Sequence, residues 1–269
     1  MIQLFLEYCV FKQRVTKMNK GKVLMIIPAY NEQDNIIRVI EEIKSNYPQY
    51  DYVIINDGSI DHTSRRCHRK GYNIVDLSVN LGLAGAFQTG LKYAYFHGYQ
   101  YAIQIDADGQ HRPEYIAKMF DKMAEGYDIV IGSRFVEEKK EVSMRMLGSA
   151  LISMAIRITT GKKIADPTSG MRMFNRDMIR EFALSLNYGP EPDTISYLLK
   201  QGASVAEVQV KMEERISGES YLNFSRSIMY MLRMLISIFF IQSFRKRDSR
   251  FRQKRNLAIE DDMREEEDV

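Results

Sequence analysis

Asp106 and Asp108, separated only by Ala107 at the end of an apolar run, are the residues whose type and spacing point most directly to chemistry. Residues two apart in an extended chain project to the same side, so both carboxylates can reach one hard cation and the diphosphate that it bridges. Gln110 has the same parity, and His111 and Arg112 follow it. An Asp-x-Asp by itself is also a turn former; its place after a strand, beside Gln110 and His111, favours a metal-diphosphate site. Two more polar segments follow apolar runs: Pro28-Ala29-Tyr30-Asn31-Glu32 and Asn56-Asp57-Gly58-Ser59. Tyr30 offers a ring for stacking on a base, and Glu32 or Asp57 an acceptor for base or ribose hydrogen bonds. Capping of the next helix by Asn31 accounts for the first segment equally well. The glycine-rich dinucleotide fingerprint is missing after the first strand, which disfavours a nicotinamide dehydrogenase.

The elements that must position these residues are short apolar runs alternating with amphipathic segments, the pattern of a sheet with crossover helices. Strands are expected at 23–27, 52–56, 73–77, 101–106 and 128–132, and helices at 33–45, 83–97 and 113–124. In open α/β sheets ligands bind beyond the carboxyl ends of the strands, so the three polar segments share one rim. After Gly132 the rhythm changes to a charged loop, a helix at 143–159, a strand at 170–174, a helix at 192–201, a strand at 204–210 and an amphipathic helix at 224–244. The small residues Ala84, Gly85, Ala86 and Gly90 allow another backbone to approach the second of the early helices. The fold class read from this order is α/β, with a mostly parallel, Rossmann-like central sheet flanked by helices and a C-terminal amphipathic helix.

Composition bounds the answer. With 269 residues, 45% apolar and 27% charged, collagen-like, disulfide-framework and wholly disordered classes are excluded. Cys9 and Cys67 read as ordinary thiols of a reducing compartment. The net charge of +3 conceals a basic block between Arg245 and Arg255 followed by an acidic run from Glu260 to Asp268. The most apolar stretch, 228–241, is shorter than the roughly 20 residues of a membrane span and carries Arg233. An apolar helix face joined to basic residues is suited to lying on an anionic membrane surface; nucleic-acid binding is disfavoured, because no motif accompanies the block and the acidic tail opposes it. Residues 1–21 read as an extension without a signal-peptide pattern.

Taken together, the segment from Lys22 to Ser220 resembles family 2 glycosyltransferases of the GT-A fold, and within them the dolichyl- or polyprenyl-phosphate sugar transferase branch. The matching residues are Pro28 to Glu32, Asn56-Asp57-Gly58-Ser59-x-Asp61, Asn80-x-Gly82, Asp106 to His111, Gly132-Ser133-Arg134, Asp166 to Arg172, and Arg215-x-x-Gly218-x-Ser220. The resemblance implies a nucleotide-diphosphate sugar donor, Mg2+ or Mn2+ held by Asp106, Asp108 and Gln110, and a nucleoside pocket of Pro28, Tyr30, Glu32 and Asp57. Ser59, Asn80, Gly82, Ser169 and Arg172 lie within the matched motifs and are expected to bind substrate. Arg134 and Arg215 are implied near the acceptor, with Arg145 a looser match. Many relatives have aspartate where this chain has Asn56, a position that bears on donor choice.

Charge then distinguishes acceptors. An acceptor hydroxyl needs a general base, for which Asp166, Glu191 and Asp193 are the candidates; an acceptor lipid phosphate is already ionised and needs cations to hold it. With a phosphate acceptor, Asp166 would instead orient Arg172 or the sugar. The expected activity is an inverting, metal-dependent transfer to polyprenyl phosphate by a peripheral protein on the cytoplasmic face of the cell membrane, with a separate membrane-protein partner or a homo-oligomer as accompanying possibilities. The alternatives are transfer to a sugar hydroxyl in polysaccharide synthesis and a catalytically silent nucleotide-sugar binding module. The expected organisation is an extension at 1–21, a catalytic domain at 22–222, an amphipathic helix at 223–244 and a charged, disordered tail at 245–269.

Overall fold

The computed structural model describes residues 23–137, 144–185, 189, 191–213 and 224–242. The first half alternates strand and helix: β1 (Val23–Ala29), α1 (Ile36–Asn46), β2 (Asp51–Asn56), α2 (Thr63–Arg69), β3 (Ile74–Asp76), α3 (Gly82–Phe96) and β4 (Tyr101–Gln104). A 3-10 turn at Pro113–Tyr115 leads into α4 (Ile116–Ala124) and β5 (Ile129–Ser133). Then come α5 (Met144–Thr160), β6 (Arg172–Asn175), α6 (Arg176–Leu184), α7 (Pro192–Gln201), β7 (Val205–Gln209) and α8 (Phe224–Ile236), the last running into a π-helical turn at Ser237–Ile241.

The strands form one seven-stranded sheet in the order β3-β2-β1-β4-β6-β5-β7. Its pairs are parallel except those of β6, which runs antiparallel to both β4 and β5. Near-continuous apolar runs in β1 and β5 are what a sheet covered on both faces requires. One face packs on α1, α2 and α4 through Ile36, Ile40, Cys67 and Met119; the other packs on α3, α5, α6 and α7 through Phe87, Ile156, Phe182 and Leu198. Gly90 lets α3 settle on β1: a Cβ there would lie 2.2 Å from the Ile26 Cγ2.

The reversal of β6 matters for function. An antiparallel strand begins where its parallel neighbours end, so the chain entering β6 crosses the carboxyl-end rim. Segment 166–171 is thereby laid beside the ends of β4 and β5, with Gly132 N–H bonded to the Met171 carbonyl at 2.8 Å.

Three local expectations are corrected. Helices α2 and α6 form where no helix was expected. The first is mostly polar and buries only Thr63 and Cys67; the second is started by Asn175, whose side chain accepts from Met178 N–H. The fourth strand ends at Gln104, so Asp106 and Asp108 stand in a turn and not in extended chain; Gly109, at φ +83°, closes it. The expected residues 1–21, the tail at 245–269, Arg215, Gly218 and Ser220 lie outside the described residues, as does the side chain of Arg145.

Candidate active site

The ends of β1 and β2 are level, Ala29 pairing with Asn56, and the two following loops are stitched together by side chains. Asn31, at φ +56°, donates its N–H to the Ser59 hydroxyl and accepts from Ile60 N–H. Glu32 N–H donates to Thr63 Oγ1, and Gln33 N–H to Asp61. Burial pushes the Asp61 carboxyl up, but the hydrogen bonds from Thr63 and Gln33 outweigh it and hold it below the usual range. Asp57 is buried and accepts from Leu81 N–H at 2.7 Å, while Asn80 Oδ1 accepts from Gly82 N–H. Gly58, at φ +66°, has no room for a side chain, since a Cβ would come within 2.7 Å of the Val79–Asn80 backbone. Pro28, Tyr30, Glu32, Asp57, Ser59, Asn80 and Gly82 are thus brought to adjoining loops, with Tyr30 44% exposed at the surface. Asn56 is different. It is buried, its amide donates to Asp76 at 2.7 Å and its oxygen accepts from Ser59 N–H, so it holds the loop in place.

Side chains and backbone from several elements surround the loop carrying Asp106 and Asp108. Arg38 on α1 donates to the Asp108 carbonyl at 3.2 Å. Gln110 N–H donates to Asp108 Oδ1, and Gln110 Nε2 donates to the Glu213 carbonyl. Gln110 O accepts from Glu213 N–H at 3.1 Å, and Arg112 forms an ion pair with Glu213. Buried His111 contacts Asp106 twice, through its backbone and its carboxylate.

At the ends of β5 and β6 the organisation changes to buried charge. Asp166 is fully buried and takes Arg134 in a two-point pair, Nε at 2.7 Å and Nη2 at 2.9 Å, with Arg134 N–H and Thr168 Oγ1 also donating to it. Burial raises the affinity of Asp166 for a proton, but these bonds to Arg134 prevail and its carboxyl lies below the usual range. Glu207 on β7 holds the loop from behind, accepting from the N–H groups of Ala165 and Asp166. Ser169 donates its hydroxyl to the Gly132 carbonyl.

Arg172, expected at the substrate, is fully buried. Its guanidinium donates to the carbonyls of Ser169 at 2.9 Å, Pro167 at 2.6 Å and Glu191 at 3.4 Å. Desolvation lowers its pKa, opposed by neighbouring Tyr230, Glu191, Asp166 and Asp193. It braces the loop from within. Asp193 likewise lies buried and turns away from the rim toward the π-helical turn, accepting from Ser237 at 2.6 Å and Gln242 at 3.3 Å. Glu191 accepts from the Tyr230 hydroxyl.

Residues 25–182 match the model of Glycosyl transferase family 2, more than half of the chain. The chain belongs to this family. As a family 2 glycosyltransferase it is 29% identical over 214 residues to the undecaprenyl-phosphate mannosyltransferase of Micrococcus luteus, covering 75% of this chain and 88% of that one. It is 28% identical over 215 residues to the polyprenol monophosphomannose synthase of Mycolicibacterium smegmatis, with 75% and 81% covered. In fold it resembles glucosyl-3-phosphoglycerate synthase of Mycobacterium tuberculosis, solved with phosphoglyceric acid: TM-score 0.61, 18% identity and 83% of both chains covered. The same synthase in complex with Mn2+, uridine-diphosphate-glucose and phosphoglyceric acid gives a TM-score of 0.60 at 19% identity, again with 83% of both chains covered.

The donor set of this glycosyltransferase fits a divalent ion: two carboxylates and an amide in one turn are hard oxygen ligands. Among the described residues no three His, Cys, Asp or Glu side chains form a metal cage of their own. Glu207 and Thr168 were not singled out from sequence; Glu207 lies in an alternating strand without a motif, and only the fold shows that it holds the Asp166 loop.

Proposed function

We propose that this glycosyltransferase moves a sugar from a nucleotide-diphosphate sugar to polyprenyl phosphate, with inversion, at the cytoplasmic face of the membrane. The observation that carries the reading is the state of the three carboxylates available as bases for a hydroxyl acceptor. Asp166 is bound three times by Arg134, Asp193 is buried against Ser237 and Gln242, and Glu191 accepts from Tyr230. An acceptor phosphate needs none of them, being ionised already.

In the reaction an acceptor phosphate oxygen attacks the anomeric carbon, and the bond from that carbon to the donor diphosphate breaks. Mg2+ or Mn2+, held by Asp106, Asp108 and Gln110, would supply charge stabilisation to the departing diphosphate. Tyr30, Glu32 and Asp57, in the stitched loops, receive the nucleoside. Asp166 fixes Arg134 so that its guanidinium is oriented toward the acceptor anion before that anion arrives, the pre-arranged electrostatics that lower a barrier most effectively.

Membrane attachment is supported by two outward apolar rows. Leu147, Leu151, Met154 and Ile158 lie at helical spacing on α5, and Met229, Leu232, Ile236 and Phe240 on α8 and its π-helical turn; all are exposed. Among the described residues no helix is long and apolar enough to cross a membrane. The basic block that follows suits an anionic leaflet.

Purified full-length protein is incubated with polyprenyl-phosphate vesicles, oligosaccharide acceptors, Mg2+ or Mn2+, and a panel of labelled nucleotide sugars. Label is expected in an organic-extractable, mild-acid-labile lipid. Label appearing only in glycan would establish the hydroxyl acceptor instead, and donor binding without turnover a silent module.

A further inference from the structure

Asp106 is held from inside the protein at one carboxylate oxygen and at its backbone N–H, and the His111 ring lies beside the other oxygen. Gln104 Nε2 donates to Oδ1 at 3.3 Å, and His111 Nε2 faces Oδ2 at 3.5 Å. The other ring nitrogen, His111 Nδ1, accepts the Asp106 N–H at 3.1 Å. An acceptor nitrogen carries no proton, so Nδ1 is the bare nitrogen of the ring and Nε2 is the one that lies beside the carboxylate. Both partners are buried, His111 at 4% exposure and Gln104 at 1%, whereas 31% of the Asp106 side chain is open.

Two further observations show that this arrangement serves Asp106. Gln104 Oε1 has no hydrogen-bond partner among the described residues, which costs stability that an apolar side chain of equal size would not. Reversing the amide would set that oxygen against the Asp106 carboxylate, so the orientation in the structure is the one that the charges require. Gly170 then closes over the pair: a Cβ there would lie 3.1 Å from His111 Cε1 and 3.6 Å from Gln104 Nε2. A glycine at this position leaves room for the imidazole.

We infer that His111 and Gln104 are positioning residues that fix the Asp106 carboxylate for the divalent cation of the donor complex. The inference rests on the metal reading given above. A carboxylate on a mobile turn loses side-chain freedom when it binds an ion, whereas one already held does not, and partners of metal-ligating groups govern affinity by about 10- to 100-fold. Neither residue touches the reacting atoms.

The test is electron paramagnetic resonance titration of Mn2+ into full-length protein, alone and with UDP, alongside thermal unfolding. His111→Ala and Gln104→Met are expected to weaken Mn2+ binding about tenfold or more, with Gln104→Met no less stable than wild type because it removes the unpaired oxygen. His111→Asn, whose amide oxygen can replace Nδ1 as the acceptor for Asp106 N–H, is expected to recover part of the loss. Wild-type Mn2+ affinity in Gln104→Met and in folded His111→Ala would overturn the inference; should His111→Ala not fold, Gln104→Met decides alone. Asp108→Asn separates the two readings. If it loses Mn2+ while the positioning variants keep it, only the inference fails; if it binds Mn2+ as wild type does, the metal reading itself fails.

Discussion

The two halves of the rim are built on different physics. On the side assigned to the nucleoside, loops after β1 and β2 are joined by short polar side chains to backbone N–H groups, as in Asn31 with Ser59 and Glu32 with Thr63. On the side of β5 and β6, buried ions do the holding: Asp166 with Arg134, and Arg172 with three carbonyls beside Glu191 and Asp193. A hydrogen bond of the first kind contributes about 0.5–1.5 kcal/mol. Leaving a buried charge uncompensated costs about 3–5 kcal/mol. The nucleoside side is therefore adjustable in small steps, whereas the side assigned to the acceptor tolerates little change.

The largest expected effect is that of Arg172. Replacement by Ala removes the donors to Ser169, Pro167 and Glu191 and leaves acidic neighbours in a buried site, so the protein should lose about 3–5 kcal/mol in urea unfolding. Arg172→Met restores volume but not charge and should lose less. A loss below about 1 kcal/mol for the alanine variant would show that the buried-ion side is no more constrained than the other.

Asp166→Asn comes next and divides stability from function. The carboxyl of Asp166 lies below its ordinary value in the folded protein. Its contribution is therefore fully present above the unfolded carboxylate pKa, near 3.9, and is lost as pH falls through the lower folded value. The variant should flatten the acid limb of the stability-pH curve. Because Arg134 loses its two-point partner, kcat should fall about 10- to 100-fold, the scale of a misplaced catalytic group. An unchanged acid limb together with unchanged kcat would remove Asp166 from the orienting role.

The same contrast explains what sequence could and could not reveal. Strands β1, β2 and β5 and the loops after them are written locally, in apolar runs that end in Asn, Asp and Gly, and the family motifs mark them plainly. The Asp106 turn is half legible: residue types announce an oxygen-rich site, but the parity argument assumed extended chain, whereas the strand stops at Gln104 and Gly109 turns it. On the buried-ion side the motif residues are legible but their enclosure is not, because burial is set by packing with other parts of the chain. Arg172 reaches Glu191, Asp193 reaches Ser237 and Gln242, and Asp166 N–H reaches Glu207. A charged residue in a motif reads as a ligand contact until the fold shows that it is enclosed. Helix α2 was missed for the converse reason: with only Thr63 and Cys67 buried, it carries too weak an apolar period to be seen.

The smallest effect sharpens the comparison by placing a second carboxylate beside Asp76, behind the loops after β1 and β2. Asn56→Asp sets a carboxylate where an amide now donates to Asp76 Oδ1 at 2.7 Å. Burial already pushes the Asp76 carboxyl up, and its hydrogen bonds from His68 and Asn56 more than offset this, leaving it below the ordinary value. The substitution removes one of those bonds and adds a like charge, so the pair must share a proton or repel. The folded pKa of the pair then rises above the unfolded value. The penalty is absent in acid and grows as pH rises through the unfolded carboxylate pKa, reaching about 1–2 kcal/mol at neutral pH for a shift of about one unit. Ser59, whose N–H is bonded to the Asn56 oxygen, links the change to the nucleoside loops, so donor KM should rise by several-fold while kcat stays near wild type. If unfolding midpoints at pH 4 and pH 7.5 fall equally, repulsion is not the cause. A fall in kcat instead of a rise in donor KM would place Asn56 with the catalytic groups and erase the division between the two sides.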